Sequence, residues 1–296
     1  MQLSKALTFS LGEIEGPVIT RYRLGLIIHR LYLDKTHAGK RLSQLRKAHA
    51  TGVEFNNQLS LLKETGILEP HPQVSDRAFL LLGRKADDAG EVACALDPFC
   101  YLSHLSAMSH YGLTNRIPGR LFLSSPPPRK WSEEADLRMR KDLGDDLETY
   151  LENGLPPLTR VRFDKLGRTE IHRFSSIHWG AYINVHGRSL RVSSIGRTFL
   201  DMLRNPELCG GMAHVIETYE SHAAQYLRPI VEEIDRHGGA IDKVRAGYLM
   251  HEKMGMRHEL IENWRSFVQR GGSRKLDPTG EYVPEWSDQW CISLNI

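Results

Sequence analysis

The sequence predicts an α+β protein in two parts: an N-terminal module of helices closed by a strand pair, and a larger α/β domain with a mixed or antiparallel sheet and a helical C-terminal half. Three observations predict it. Apolar residues recur at helical spacing between Pro17 and Gly66, then give way to two short strand-like runs. Polar and apolar residues alternate in short runs between Thr159 and Val192. Beyond Met212 the pattern is helical to about Arg270, punctuated by Gly210-Gly211, Gly238-Gly239 and Gly271-Gly272.

Within the first part, residues up to about Gly16 carry mixed signals. A helix is expected from Pro17, where Leu24, Ile27, Ile28 and Leu31 share a face, and His37-Ala38-Gly39 ends the region. A second helix is expected over 42–49, with Leu42, Leu45 and Ala48 inward, and Thr51-Gly52 as a turn. A third follows to Gly66, burying Phe55, Leu59 and Leu62. Ile67-Leu68-Glu69 and Ala78 to Leu82 read as strands joined by the loop from Pro70 to Asp76. Helices around a glycine-bearing turn followed by a hairpin make a winged helix-turn-helix. Its residue types point to DNA. Between Thr20 and Ala50, Arg21, Arg23, Arg30, Lys35, Lys40, Arg41, Arg46 and Lys47 face a single acid, Asp34, although the whole chain carries only +3. Asn56, Asn57, Ser60 and Lys63 lie off the apolar stripe of the third helix. Asn and Ser read base edges, while Lys prefers guanine or the backbone. Arg41, Arg46, Lys47 and Arg77 are expected to hold phosphates, Arg77 from the wing. The expected partner is double-stranded operator DNA.

The charged run from Arg84 to Glu91 reads as the linker, so the first domain with its linker covers residues 1–90 and the second covers 91–296. The second opens on a helix from Asp97, an N-cap type, through Pro98 at its first position to Gly112. Tyr101, Leu105 and Met108 form its stripe, and Leu121-Phe122-Leu123 is a strand. Residues 124–157 read as a surface insertion: three prolines, Pro126 to Pro128, in extended form, then a charged helix capped by Ser132. Strands are expected over 159–163, 170–174, 181–185 and 189–192. Ser194 then caps a helix with Ile195, Phe199 and Leu203 on one face, and Asn205-Pro206 ends it. The tail from Lys275 finishes in a strand returning to the sheet.

Three stretches, Tyr101 to Thr114, Arg191 to Leu203 with the Asn205 to Gly211 loop, and Leu276-Asp277-Pro278, resemble the AbiEi family, antitoxins of type IV toxin–antitoxin systems in bacterial phage-defence loci. Val192-Ser193-Ser194-Ile195-Gly196-Arg197-Thr198-Phe199-Leu200-Asp201 is the most specific of these. The resemblance implies a transcriptional repressor that regulates its own operon and counters a nucleotidyltransferase toxin. The proline-rich stretch and the long helical C-terminal half depart from the family pattern. A stand-alone winged-helix regulator that senses a ligand is the alternative.

Other chemistry finds little footing. No run of about eighteen apolar residues suggests a membrane span, and no apolar leader follows Met1, so the expected location is the cytoplasm. Cys94, Cys100, Cys209 and Cys291 are too scattered for a zinc ribbon or a disulfide framework. The 14 histidines give no H-E-x-x-H, and there is no Walker A, G-x-S-x-G or G-x-G-x-x-G. No enzyme, cofactor or metal is expected, with a metal-dependent nuclease using Asp164 and Glu170 the remote exception. The oligomeric state stays open.

Overall fold

A computed structural model describes residues 1–43, 45, 47–271 and 273–296. Contacts gather them into two units. The first holds Met1–Tyr101, Ser124–Trp179 and Asn184–Arg191; the second holds Leu102–Leu123, Gly180–Ile183 and Val192–Ile296. This division differs from the cut near residue 90 that the charged run suggested.

The chain opens with α1 (Leu3–Gly12), β1 (Val18–Thr20), α2 (Arg21–Asp34), β2 (Thr36–His37), β3 (Lys40–Arg41), α3 (Gly52–Glu64), β4 (Leu68–His71), β5 (Ser75–Leu81) and α4 (Ala89–Leu96). Antiparallel pairing places β5 between β1 and β4 in a three-stranded sheet, with Val18 opposite Leu80 and Leu68 opposite Leu81. The helices expected from Pro17 and up to Gly66 form as α2 and α3. The helix expected over 42–49 does not form: Leu42, Ser43, Leu45, Lys47, Ala48 and His49 are outside any helix, and Gln44 and Arg46 lie outside the described residues. The reason is the hairpin before it. Ala38 and Gly39 both take positive φ (46° and 75°), the pattern of a two-residue I′ turn, and fold β2 onto β3. Leu42 N–H then bonds the Lys35 carbonyl at 2.8 Å and Ser43 N–H the Met1 carbonyl at 2.9 Å, which ties the start of this stretch to the hairpin and to the first residue of the chain. The stretch before Gly16, whose signals are mixed, forms α1, which buries Leu3, Ala6, Leu7 and Leu11.

The middle of the chain adds β6 (Tyr101–Leu102), α5 (His104–His110), β7 (Leu121–Ser125), α6 (Pro128–Leu143), α7 (Leu147–Glu152), β8 (Lys165–Leu166), β9 (Thr169–Ser175), β10 (Tyr182–Asn184) and β11 (Arg191–Ser193). The six-stranded sheet runs β10-β11-β6-β7-β9-β8. It is mixed, since β6 and β11 are parallel with Leu102 opposite Val192, whereas β8 and β9 form an antiparallel hairpin. The run 159–163, expected as a strand, is not one, although Val161 and Phe163 are buried. The last of the three prolines, Pro128, opens α6 rather than prolonging an extended stretch, because a helix's first position needs no N–H. Met139, Leu143, Tyr150 and Leu155 then join Leu7, Leu24, Ile28, Phe55 and Leu59 in one core. Residues 124–157 thus contribute four buried side chains to the first unit's core while most of the rest of α6 stays exposed.

Asp97 behaves unlike the cap the sequence suggested. Asp88 caps α4 instead, accepting from Gly90 N at 2.8 Å and Glu91 N at 3.1 Å, and α5 starts only after Ser103. The Asp97 carboxylate is fully buried. It accepts from Phe99 N at 3.0 Å, Trp131 Nε1 at 2.9 Å and Ser125 Oγ at 3.4 Å, and it pairs with Arg173. A helix start offers a carboxylate one or two N–H groups; this position offers four donors, one of them charged.

The second unit is built on α8 (Ile195–Arg204), α9 (Met212–His222), α10 (Leu227–His237), α11 (Ala240–Gly247) and α12 (Glu259–Asn263), with a π-helical turn over Tyr248–Lys253. The helical C-terminal half is as expected. Ser194 caps α8, accepting Arg197 N at 3.3 Å. Phe199, Leu203, Tyr219, Ile230, Ile234, Trp264 and Trp290 share the core. Arg197 Nε meets Glu233 at 2.7 Å and joins α8 to α10, which approach closely enough that a Cβ on Gly196 would stand 2.2 Å from the Pro229 carbonyl oxygen. The tail strand does not return to the large sheet: β12 (Trp286–Ser287) and β13 (Ile292–Ser293) pair with each other.

Two stability changes follow. Asp97→Ala leaves the Arg173 charge uncompensated and is expected to cost about 3–5 kcal/mol in urea denaturation, with Asp97→Ala/Arg173→Met recovering part of the loss. Gly196→Ala forces α8 from α10 and is expected to cost about 1–3 kcal/mol, read as a lowered Tm.

Candidate nucleic-acid interface

Helix α3 is set by its first turn. Thr51 precedes it in extended conformation, and the Glu54 carboxylate reaches back to accept Thr51 N at 3.0 Å and the Thr51 hydroxyl. This is the Glu half of a capping box, readable in the sequence as Thr51-x-x-Glu54. Lys47 Nζ pairs with the same carboxylate. The Lys47 and Thr51 bonds hold the Glu54 carboxyl well below its ordinary 4.5, at about 2.

From this start, Phe55, Leu59 and Leu62 turn inward at i, i+4 and i+7. Asn56, Asn57 and Ser60 are consequently exposed, and Lys63 is half-buried on the same side. The structure thus brings the four expected reader residues onto one helix face, yet their freedom differs. Asn57 and Ser60 have no side-chain partner among the described residues. Asn56 Oδ1 accepts from Arg21 Nη2 at 3.3 Å, while the Arg21 guanidinium sits 5.0 Å from the Phe55 ring centre. Lys63 Nζ bonds Asp76 at 2.9 Å and stands 5.1 Å from the Phe79 ring, so its charge is committed to holding α3 against β5.

The expected phosphate contacts divide the same way. Arg77, next to Asp76 on β5, is exposed and has no side-chain partner among the described residues. Arg41 is exposed on β3, its carbonyl accepting the N-terminal ammonium at 2.9 Å, and no contact with α3 is seen among the described residues. Lys47 spends its charge on Glu54. Arg46 lies outside the described residues. Sequence reasoning missed Arg21 as part of this face. Its signal was its place immediately before the α2 stripe, but only the fold brings it beside Asn56.

For the remote nuclease reading, Asp164 lies before β8 and its carbonyl accepts Ile171 N at 2.9 Å, while Glu170 stands opposite Lys165 in the hairpin. Among the described residues no group of three His, Cys, Asp or Glu side chains is placed to hold a metal ion. Among them, too, no helix is long and apolar enough to cross a membrane.

No family model matches the chain, and no curated protein matches it. Among solved structures it is similar to the crystal structure of the RV2827C protein from Mycobacterium tuberculosis, at 13% identity over 98% of this chain and 90% of that one, with a TM-score of 0.48.

The Glu54 arrangement has a pH signature. A carboxylate held below its ordinary value stabilises the fold above the unfolded pKa, and that stabilisation is lost as pH falls toward the folded one. Glu54→Ala is expected to cost about 0.3–1.5 kcal/mol at neutral pH, the difference from wild type shrinking between pH 4.5 and about 2 in pH-dependent denaturation.

Proposed function

We propose that the N-terminal part of the chain is a winged helix that binds double-stranded operator DNA, with α3 in the major groove and the β4–β5 hairpin as the wing. The observation that carries this reading is the order α1-β1-α2-β2-β3-α3-β4-β5 combined with strand order β1-β5-β4, which leaves the Asn56, Asn57 and Ser60 side of α3 uncovered. A helix presenting short amide and hydroxyl side chains, with the exposed Arg77 guanidinium on the adjacent hairpin, matches what base edges and phosphates require. Within the proposal, Asn57 and Ser60 read bases and Arg77 and Arg41 hold phosphates. Asn56 is positioned by Arg21, and Lys47 and Lys63 act chiefly through Glu54 and Asp76. The resemblance of Val192 to Asp201 and its companion stretches to AbiEi antitoxins supports placing the chain among repressors that regulate their own operon and counter a nucleotidyltransferase toxin. A second reading, a stand-alone ligand-sensing regulator, is favoured by an open cavity of about 950 Å³ in the first unit.

The test is a gel-shift titration on the upstream region with a salt series. Asn57→Ala is expected to cost about 1–3 kcal/mol on the operator and little on scrambled duplex. Arg77→Ala should weaken binding to both duplexes and flatten the salt slope by about one unit. Equal weakening of both duplexes by Asn57→Ala would remove α3 as the reader.

A further inference from the structure

The cavity in the first unit is walled by α2, the β2–β3 turn, the end of α1, part of α4 and α6, and residues 184–191. Its volume, about 950 Å³, is at the upper end of what small-ligand sites enclose. Five arginines line it, and three are already engaged. Arg188 pairs with Asp88 and Glu91, Arg191 donates to the carbonyls of Cys94, Asp97 and Cys100, and Arg138 Nε meets Asp142 at 2.8 Å. Arg23 and Arg30 have no side-chain partner among the described residues. They stand seven apart on α2 with Ile27 between them, on one face of the helix.

Arg23 is the centre of the site. It lies near enough to Arg138 for the two charges to oppose each other, and the carboxylate between them, Asp142, already serves Arg138 and the Tyr22 hydroxyl at 3.1 Å. The Arg23 side chain is exposed along the cavity wall, open to a ligand within it. Both guanidinium groups keep their charge, and the carboxylates of Asp142 and Glu15 both act on Arg23. Ile27, Leu31, Leu158 and Leu190 supply apolar wall beside it, while Glu13, Glu15 and Asp34 place negative charge around it. Guanidinium groups select planar or tetrahedral oxyanions, and the surrounding carboxylates repel extended polyanions such as a nucleic-acid backbone.

We infer that this cavity is a binding site for a small oxyanion, a phosphate monoester or a carboxylate on a compact aliphatic body, held by Arg23 and Arg138. The inference rests on the ligand-sensing reading and supplies its ligand class; it does not depend on α3 reading DNA.

The experiment is calorimetric titration of the full chain with inorganic phosphate and, separately, with succinate, at constant ionic strength set by sodium chloride. A thermal-shift series and the operator gel shift run alongside. Saturable binding of at least one anion, at one site per chain and with a raised Tm, is expected. Whichever anion binds identifies the head group. Arg23→Gln should weaken that binding about tenfold or more, the loss of a charge-assisted hydrogen bond, whereas Arg77→Gln should leave it unchanged. Arg23→Gln should still shift operator DNA as wild type does. The inference is overturned if neither anion binds beyond the effect of chloride. Equal affinity in Arg23→Gln and wild type overturns it too, as does loss of operator binding by Arg23→Gln, which would make Arg23 a DNA phosphate contact. Failure of operator binding in the wild type, with anion binding intact, would remove the DNA reading and leave the cavity site standing.

Discussion

The buried carboxylate of Asp97 is the constraint on which the first unit depends. An ionised carboxylate out of water costs several kcal/mol unless its lone pairs are filled. Here they are filled from four places: the following backbone at Phe99, the end of β7 at Ser125, α6 at Trp131 and β9 at Arg173. Each donor belongs to a different piece of chain, so the charge is compensated only when all of them have arrived. Arg191 works on the same corner from the backbone side, its guanidinium donating to the carbonyls of Cys94, Asp97 and Cys100 at 2.6–2.8 Å. Cations favour helix C-terminal carbonyls, and Arg191 stops α4 where Asp97 must begin its other contacts.

The same accounting of partners separates structural from available charge on the N-terminal face. Basic residues there looked equivalent in sequence. In the fold, Lys47 and Lys63 each meet a carboxylate that anchors one end of α3, at Glu54 and at Asp76. Arg77 and Arg41 meet none among the described residues. Exposed ion pairs add little stability, so Lys47 and Lys63 matter mainly for where they hold α3. Asn57 and Ser60 keep their full hydrogen-bonding capacity.

Much of the fold was legible because it rests on local rules. The stripes Leu24-Ile28-Leu31 and Phe55-Leu59-Leu62, the Ser194 cap and the glycine-punctuated C-terminal helices need only residues within a turn or two of each other. The failures share one cause. Leu42, Leu45 and Ala48 have helical spacing, but a two-residue turn at Ala38-Gly39 and bonds to Lys35 and Met1 tie the start of the stretch to the hairpin and to the first residue of the chain. Val161 and Phe163 alternate like a strand without pairing in one; Phe163 instead lies under the Arg173 guanidinium, 4.5 Å from its ring centre.

For the candidate site, the sequence by itself determined the exposed polar side of α3 and the basic character of the region around it, since helical period alone turns Asn56, Asn57 and Ser60 away from Phe55, Leu59 and Leu62. Only the tertiary structure decided which charges are spent. It set Glu54 against Lys47, Asp76 against Lys63 and Arg21 beside Asn56, and it left Arg77 without a side-chain partner among the described residues. Period is a property of one segment, read within about four residues. Electrostatic compensation joins segments as distant as Asp97 and Arg173, and the sequence spacing of such pairs carries no trace of their meeting.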